Sequence, residues 1–370
     1  MGGVSAATEL RRRLSSTHRV IVIDREPRAS YPPSYLWVMT GARKPAAISR
    51  HRGRLARKGI EFVNAEVRHV DLAAKQVRAD SREFRYDYLV IALGAELTLE
   101  STPGLAEAAQ TFYTLDGAER LAASLRYFAG GRLVIVVAGT PFKCPAAPYE
   151  AAMLLEHHFH DRKLRQKVEI EISTPESLPL GVAGPAIGEE LTGLLAHKGI
   201  SFQPNRKIDS VDGAKRELLF ADGSRTPFDL LVVVPEHRAP ALVREAGLVD
   251  ETGWVPVDAS TLETRFENVF AVGDVNYVRL ADGMLLPKAG VFAEHQAQAV
   301  ARTIASRIDG GSAGRLDGSG RCFLDVGAGA AAMADGDFLA PNRRIDMKQP
   351  SIIWHWAKVA AEKYWLWHSY

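Results

Sequence analysis

The 370-residue chain is too long for one ordinary domain, and its 46% hydrophobic residues are ample for two cores and an appendage. Lys plus Arg number 46 against 44 for Asp plus Glu, so charge makes no case for a nucleic-acid partner and points to a small or membrane-borne substrate. Two cysteines in such a length are no disulfide scaffold, no apolar run is long enough to cross a bilayer, and the N-terminal stretch lacks a signal-peptide pattern; the chain reads as soluble or peripheral.

In chain order, Met1-Gly2-Gly3 leads into a helix expected over Ala6 to Leu14, followed by a strand over His18 to Asp24. A Pro/Tyr-rich stretch, Tyr31-Pro-Pro-Ser-Tyr-Leu-Trp37, and a hairpin around Asp71 to Arg78 come next. Apolar, β-branched runs at Tyr86 to Ala92, Arg132 to Ala138, Val168 to Ser173, Leu230 to Val234 and Val269 to Val272 have the look of parallel strands covered on both faces. Helices are expected at Pro148 to His160, Pro185 to Lys198 and Lys288 to Ile308, and Gly310 to Gly320 reads as a linker. This rhythm gives an α/β fold with two Rossmann-like, three-layer domains, the second inserted in the first, and a C-terminal aromatic-rich segment. The expected boundaries are 1–110 with 253–315 for a cofactor domain, 111–252 for the inserted one, and 316–370 for the remainder.

Gly2-Gly3 opens a helix and Asp24, with Arg25 behind it, closes a strand about twenty residues on, as in the end of a dinucleotide fingerprint. Gly3 fits the third glycine, which lets helix and strand pack closely; the first two glycines and the first strand of the sheet would lie upstream. The expectation is therefore an earlier true start, with Met1 a valine read from an alternative start codon; the other reading makes Gly2-Gly3 an ordinary N-terminal tail. Asn268-Val-Phe-Ala-Val-Gly-Asp274 is a strand ending in Gly273-Asp274, where a backbone can approach a ligand and a carboxylate can bond a ribityl hydroxyl. Tyr88-Leu-Val-Ile-Ala-Leu-Gly-Ala95 likewise runs through Ala92 into a turn at Gly94. Pro287-Lys-Ala-Gly-Val-Phe-Ala-Glu-His-Gln296 starts a helix whose free amides, with Lys288 and Ala289, can face an electron-rich ring; Lys288 is equally readable as a solvated first-turn lysine.

These strand-turn signatures stand in the order and roughly the spacing of FAD-dependent pyridine-nucleotide-disulfide oxidoreductases, which the chain resembles over nearly its full length. Where nicotinamide-using members carry a second Gly-x-Gly-x-x-Gly, this chain reads Ala138-Gly-Thr-Pro-Phe-Lys-Cys-Pro-Ala-Ala-Pro-Tyr-Glu150, from which no pyrophosphate turn can be built. The Cys-Pro-x-x-Pro-Tyr-Glu run is similar to the redox-cysteine segment of sulfide:quinone oxidoreductases and of the flavin subunit of flavocytochrome c sulfide dehydrogenase. The resemblance implies an oxidoreductase acting on sulfur donors, with non-covalent FAD and no NAD(P)H. It pairs Cys144 with Cys322, in Arg321-Cys-Phe-Leu-Asp-Val-Gly-Ala-Gly-Ala330, as the redox disulfide: Cys144 receives the incoming sulfur and Cys322 faces the flavin. Lys143 is expected to lower the Cys144 thiol pKa and Glu150 to relay a proton, or else to be a plain first-turn carboxylate. His157 and His160 share a helix face without an evident third ligand, so no metal is expected.

Four of the six tryptophans fall in the last stretch, at Trp354, Trp356, Trp365 and Trp367. Ile353, Trp356, Ala360, Tyr364 and Trp367 recur at helical spacing and would share one face flanked by Lys358 and Lys363, as in a membrane-interface helix or one packed on the body. The expectations are electron transfer to a quinone and a peripheral, cytoplasmic-side membrane location, periplasmic if an export signal precedes the chain. A cytochrome c acceptor, an inactive relative and a homo-oligomer stay open.

Overall fold

The computed structural model describes residues 1–370. Helix α1 (Gly2–Arg13) precedes β1 (Ile21–Asp24); the Pro-rich stretch forms a 3-10 turn at Pro32–Ser34 that continues into the short helix α2 (Tyr35–Met39). Proline at the first positions fits this geometry, because its missing N–H would be unsatisfied there in any case. Strand β2 (Glu61–Asn64) pairs parallel with β1, a three-stranded antiparallel ribbon occupies 67–85, and β3 (Leu89–Ile91) follows.

Helix α3 (Leu115–Tyr127), capped by the Thr114 hydroxyl, leads to β4 (Gly131–Val137), α4 (Ala147–Asp161), β5 (Val168–Ser173), α5 (Pro185–His197), β6 (Ile200–Gln203) and β7 (Leu230–Val234). The four strands form a parallel sheet in the order β6-β5-β4-β7. Leu133 to Val137 are fully buried in succession, which requires cover on both faces and explains the uninterrupted apolar run. Helix α4 lies on one face, and an antiparallel sheet built from residues 208–227 shares a core with Val134, Val136, Leu231 and Val233 on the other. Each side chain so buried contributes roughly 1.5–3 kcal/mol.

Strand β8 (Val269–Ala271) returns to pair parallel with β3, and α6 (Gly290–Asp309) packs along α1. The chain closes with an antiparallel sheet of β9 (Ser319–Gly327), β10 (Ala330–Asp337) and β11 (Ile345–Ser351), then α7 (Ile352–His368), whose Ser351 hydroxyl accepts the Ile353 N–H as N-cap. Leu324, Val326 and Ala332 of this sheet join one core with Leu36 and Met39 of α2 and with Tyr149, Ala152 and Met153 of α4. That shared core holds β9 against α4.

The expected elements are present, with shifted ends. Helix α1 starts at Gly2 rather than Ala6 because Val4, Ala6, Ala7 and Leu10 form one buried stripe. Helix α6 starts at Gly290, which places Lys288 before the helix and not in its first turn. The hairpin at 71–78 gains a third strand, Arg82–Arg85, and the 310–320 linker ends early, where β9 begins at Ser319.

Candidate functional site

Cys144 lies in the loop between β4 and α4, and its φ of 52° places it in the left-handed region that L-residues avoid. Such conformations persist where surrounding structure imposes them. Here the Cys144 N–H donates to the Lys288 carbonyl at 2.6 Å, and its own carbonyl accepts the Ala147 N–H that opens α4. Glu150, in the first turn of α4, is 3% exposed. Cys322 is on β9, opposite Ala334 of β10, and keeps an exposed surface. Both thiols are free. The shared core brings the two segments together, and among charged neighbours Cys322 acts most strongly on Cys144.

A buried ion cluster adjoins the pair. Lys358 of α7 is in contact with Glu150 Oε1 and lies 3.1 Å from Asp325 Oδ2. Trp37 Nε1 donates to the same Asp325 oxygen at 2.8 Å, and His355 Nδ1 lies 2.8 Å from Asp325 Oδ1. The Lys358 ammonium also sits over the Trp37 ring, 5.0 Å from its centre. Burial pushes the Glu150 carboxyl up to about 7 even with Lys358 opposing the shift, so this acid exchanges its proton near neutral pH. Lys358 is held above its usual value because two carboxylates outweigh its desolvation.

Several expectations change. Lys143 is not the main cation acting on the Cys144 thiol: burial raises that thiol, Cys322 and Glu150 add to the rise, and Lys358 opposes it. Lys143 is half-buried and faces the Tyr113 ring, 5.9 Å from its centre. Lys288 is no free point charge; its Nζ donates to the Asp274 and Asn276 carbonyls at 2.8 Å each and stacks 3.4 Å from the Trp254 ring centre. Burial lowers it to about 7, against the pull of Asp274. Lys358 does not flank the exposed tail face, because it is buried. Asp161 supplies the third group missing beside His157 and His160, with ligand atoms of all three within 4.8 Å of one another at the end of α4.

Most of the expected cofactor residues form a cradle that fits FAD; Asp24 and Arg25 do not join it. A Cβ on Gly3 would come 3.1 Å from the Ala92 Cβ and one on Gly2 3.1 Å from Val272 Cγ2, so the two glycines let α1 approach the strand ends without pushing these neighbours back. Gly273, at φ +79°, donates its N–H to Gln296 Oε1 at 2.7 Å and turns the chain into Asp274, while Gly94 turns at φ +69°. Gly273, Asp274, Lys288 and Ala289 line one cleft at the start of α6, where helix amides are unsatisfied. Asp24 ends β1 but is engaged by Arg52 at 2.8 Å, and Arg25 points outward to Glu26 and Glu66.

Sequence reading missed Trp37, Asp325, His355 and the role of Lys358. A signal existed: His355, Lys358 and Glu362 recur at three- and four-residue spacing as a polar stripe on an otherwise apolar helix. Glu362 is fully buried, accepting from the Ser34 hydroxyl at 2.6 Å and pairing with Arg43 at 3.3 Å. The stripe that the spacing predicts, Ile353, Trp356, Ala360, Tyr364 and Trp367, is exposed along its whole length rather than packed on the body, and Ile352 beside it is exposed too. No helix is long and apolar enough to cross a membrane.

Known proteins bear on this arrangement. The chain is 27% identical to the mouse mitochondrial sulfide:quinone oxidoreductase over 286 residues, 74% of this chain and 63% of the relative. It is 28% identical to its Schizosaccharomyces pombe counterpart over 54% of this chain and 46% of that one. The chain thus spans less than two thirds of the length of these curated relatives. The sulfide:quinone oxidoreductase of Aquifex aeolicus superposes with a TM-score of 0.90 at 26% identity, covering 100% of this chain and 89% of that one. The pyridine nucleotide-disulphide oxidoreductase family matches residues 1–297, most of the sequence, and the chain belongs to that family.

Proposed function

We propose that this protein oxidises sulfide through a Cys144–Cys322 disulfide and bound FAD and passes the electrons to a membrane quinone. One observation carries the reading: the chain's two cysteines, 178 positions apart, share a site with a buried carboxyl that titrates near neutrality. The chain's similarity to sulfide:quinone oxidoreductases supports the substrates.

Hydrogen sulfide entering the site gives one proton to Glu150. The hydrosulfide attacks the Cys144 sulfur; a Cys144–S–SH bond forms, the disulfide breaks, and the electron pair leaves on the Cys322 sulfur. A second hydrosulfide removes the outer sulfur as disulfane and leaves a Cys144 thiolate. FAD supplies, when bound, the two-electron acceptor that lets both thiolates reclose. Lys358 compensates the negative charge that passes between Glu150 and the sulfurs. The exposed apolar stripe of α7, with Lys363 beside it, rests on the lipid surface and brings the site close to a lipid-soluble acceptor.

The test is anaerobic titration of the yellow protein with sulfide, followed by addition of a short-chain quinone. Sulfide bleaching and quinone-driven recovery of the colour are expected. Recovery with cytochrome c alone moves the acceptor assignment; no bleaching overturns the reading.

A further inference from the structure

The cysteine site is connected to the surface by direct contacts. Side-chain exposure along them is 4% at Glu150, 6% at Lys358, 2% at Asp325 and 24% at His355. The order is Glu150 Oε1, Lys358 Nζ, Asp325 Oδ2 and, from the other oxygen of that carboxylate, His355 Nδ1. Packing fixes every member: Trp37 Nε1 holds Asp325 at 2.8 Å, and the Trp37 and Trp356 rings meet His355 edge-on with centres 5.9 Å away. The charged or titratable groups facing Glu150 are Lys358, Asp325, Cys144 and Cys322; the one facing His355 is Asp325.

From this geometry we infer that Glu150, Lys358, Asp325 and His355 form a proton path from the cysteine pair to the surface beside α7, a reading that rests on the sulfide chemistry proposed above. Two molecules of hydrogen sulfide yield one disulfane, two electrons and two protons, so two protons leave the site in each turnover. The ammonium of Lys358 takes a proton from Glu150 as it gives one to Asp325, and stays charged throughout. Asp325 passes the proton to His355 Nδ1, and the imidazole releases one from Nε2 to water. Carboxyls and an imidazole spaced by single hydrogen bonds suit such transfer. The path opens on the same helix that carries the exposed apolar stripe, so protons emerge next to the surface where a quinone takes up an equal number.

His355→Gln tests the path, since the amide still donates to Asp325 but does not relay a proton. Single-turnover bleaching by sulfide is followed from acid to alkaline pH, with and without millimolar imidazole, on protein whose bound FAD is first confirmed by its spectrum. The expected result is bleaching slowed by roughly tenfold or more, with an altered pH profile. His355→Ala should behave likewise and regain rate with added imidazole, whereas a purely structural loss would not be rescued. Bleaching within about twofold of the unaltered protein at every pH, or a loss that is flat with pH and unmoved by imidazole, overturns the path. If sulfide fails to bleach the unaltered protein, the parent reading falls. The same comparison with dithiothreitol, whose thiols also shed protons on opening the disulfide, then decides the path separately.

Discussion

Replacing Lys358 with methionine removes a cation from between two buried carboxylates while keeping most of the side-chain volume. Lys358, Glu150 and Asp325 are each at most 5% exposed, so neither carboxylate regains water when the ammonium goes. Breaking a buried ion pair in this way costs about 3–5 kcal/mol, because an uncompensated charge is left behind. The loss must depend on pH. Glu150 holds its proton more tightly folded, near 7, than unfolded, near 4.5, so its penalty is absent below about 4.5, grows as pH rises, and is complete above about 7. That interval corresponds to about 3 kcal/mol already present with Lys358 in place. Without Lys358 the carboxyl titrates higher still, so at pH 8 the variant should be destabilised by ~4 kcal/mol, and by clearly less at pH 5.5, where Glu150 is neutral. Thermal unfolding at the two pH values reads this directly. At roughly 2–4 °C per kcal/mol, the pH 8 midpoint should fall by about 10 °C. A fall of under about 2 °C at pH 8, or equal falls at both pH values, would refute the burial argument.

Cys144→Ser and Cys322→Ser should each abolish sulfide bleaching while the FAD spectrum persists; activity surviving in either removes the disulfide from the mechanism. NADH and NADPH should not bleach the flavin, because the Ala138 to Glu150 loop offers no glycine turn for a pyrophosphate, and stopped-flow bleaching by NADH faster than by sulfide would reverse that assignment. Trp356 and Trp367 are 62% and 78% exposed; if each gives roughly 150 Å2 to lipid at ~25 cal/mol per Å2, the pair contributes several kcal/mol. The double serine variant should therefore co-sediment with lipid vesicles at least ~100-fold more weakly, and unchanged co-sedimentation assigns the stripe to another surface.

The strands of the central sheet were legible because Leu133 to Val137 and Leu230 to Val234 are apolar without alternation, a pattern that a doubly covered parallel strand produces. The outward stripe of α7 was legible for a similar reason: spacing alone sorts a helix into faces. What escaped was the assignment of charge to the interior. Lys358 and Lys363 look equivalent in sequence, yet one is 5% exposed and the other open to solvent, and only the carboxylates brought by α4 and β9 decide which. Adjacency in the chain points to Lys143 as the main cation acting on Cys144. A lysine 214 positions away takes the larger part, since Coulomb interactions follow distance in space. The Pro-Pro stretch showed its turn but not its purpose, because Ser34 and Trp37 find their partners about three hundred residues downstream.

Helix α7 cannot be grafted or trimmed like an add-on anchor. Its inner stripe is held by Ser34, Trp37 and Arg43 and brings Lys358 to Glu150 and Asp325, so any chimera that borrows the outer stripe from another scaffold inherits a demand on the inner one. Sequence change along the helix is therefore constrained unevenly: positions 352, 353, 360, 363, 364 and 367 are exposed, 356 is exposed but packs its ring on His355, and 358 and 362 are bound to residues elsewhere in the chain.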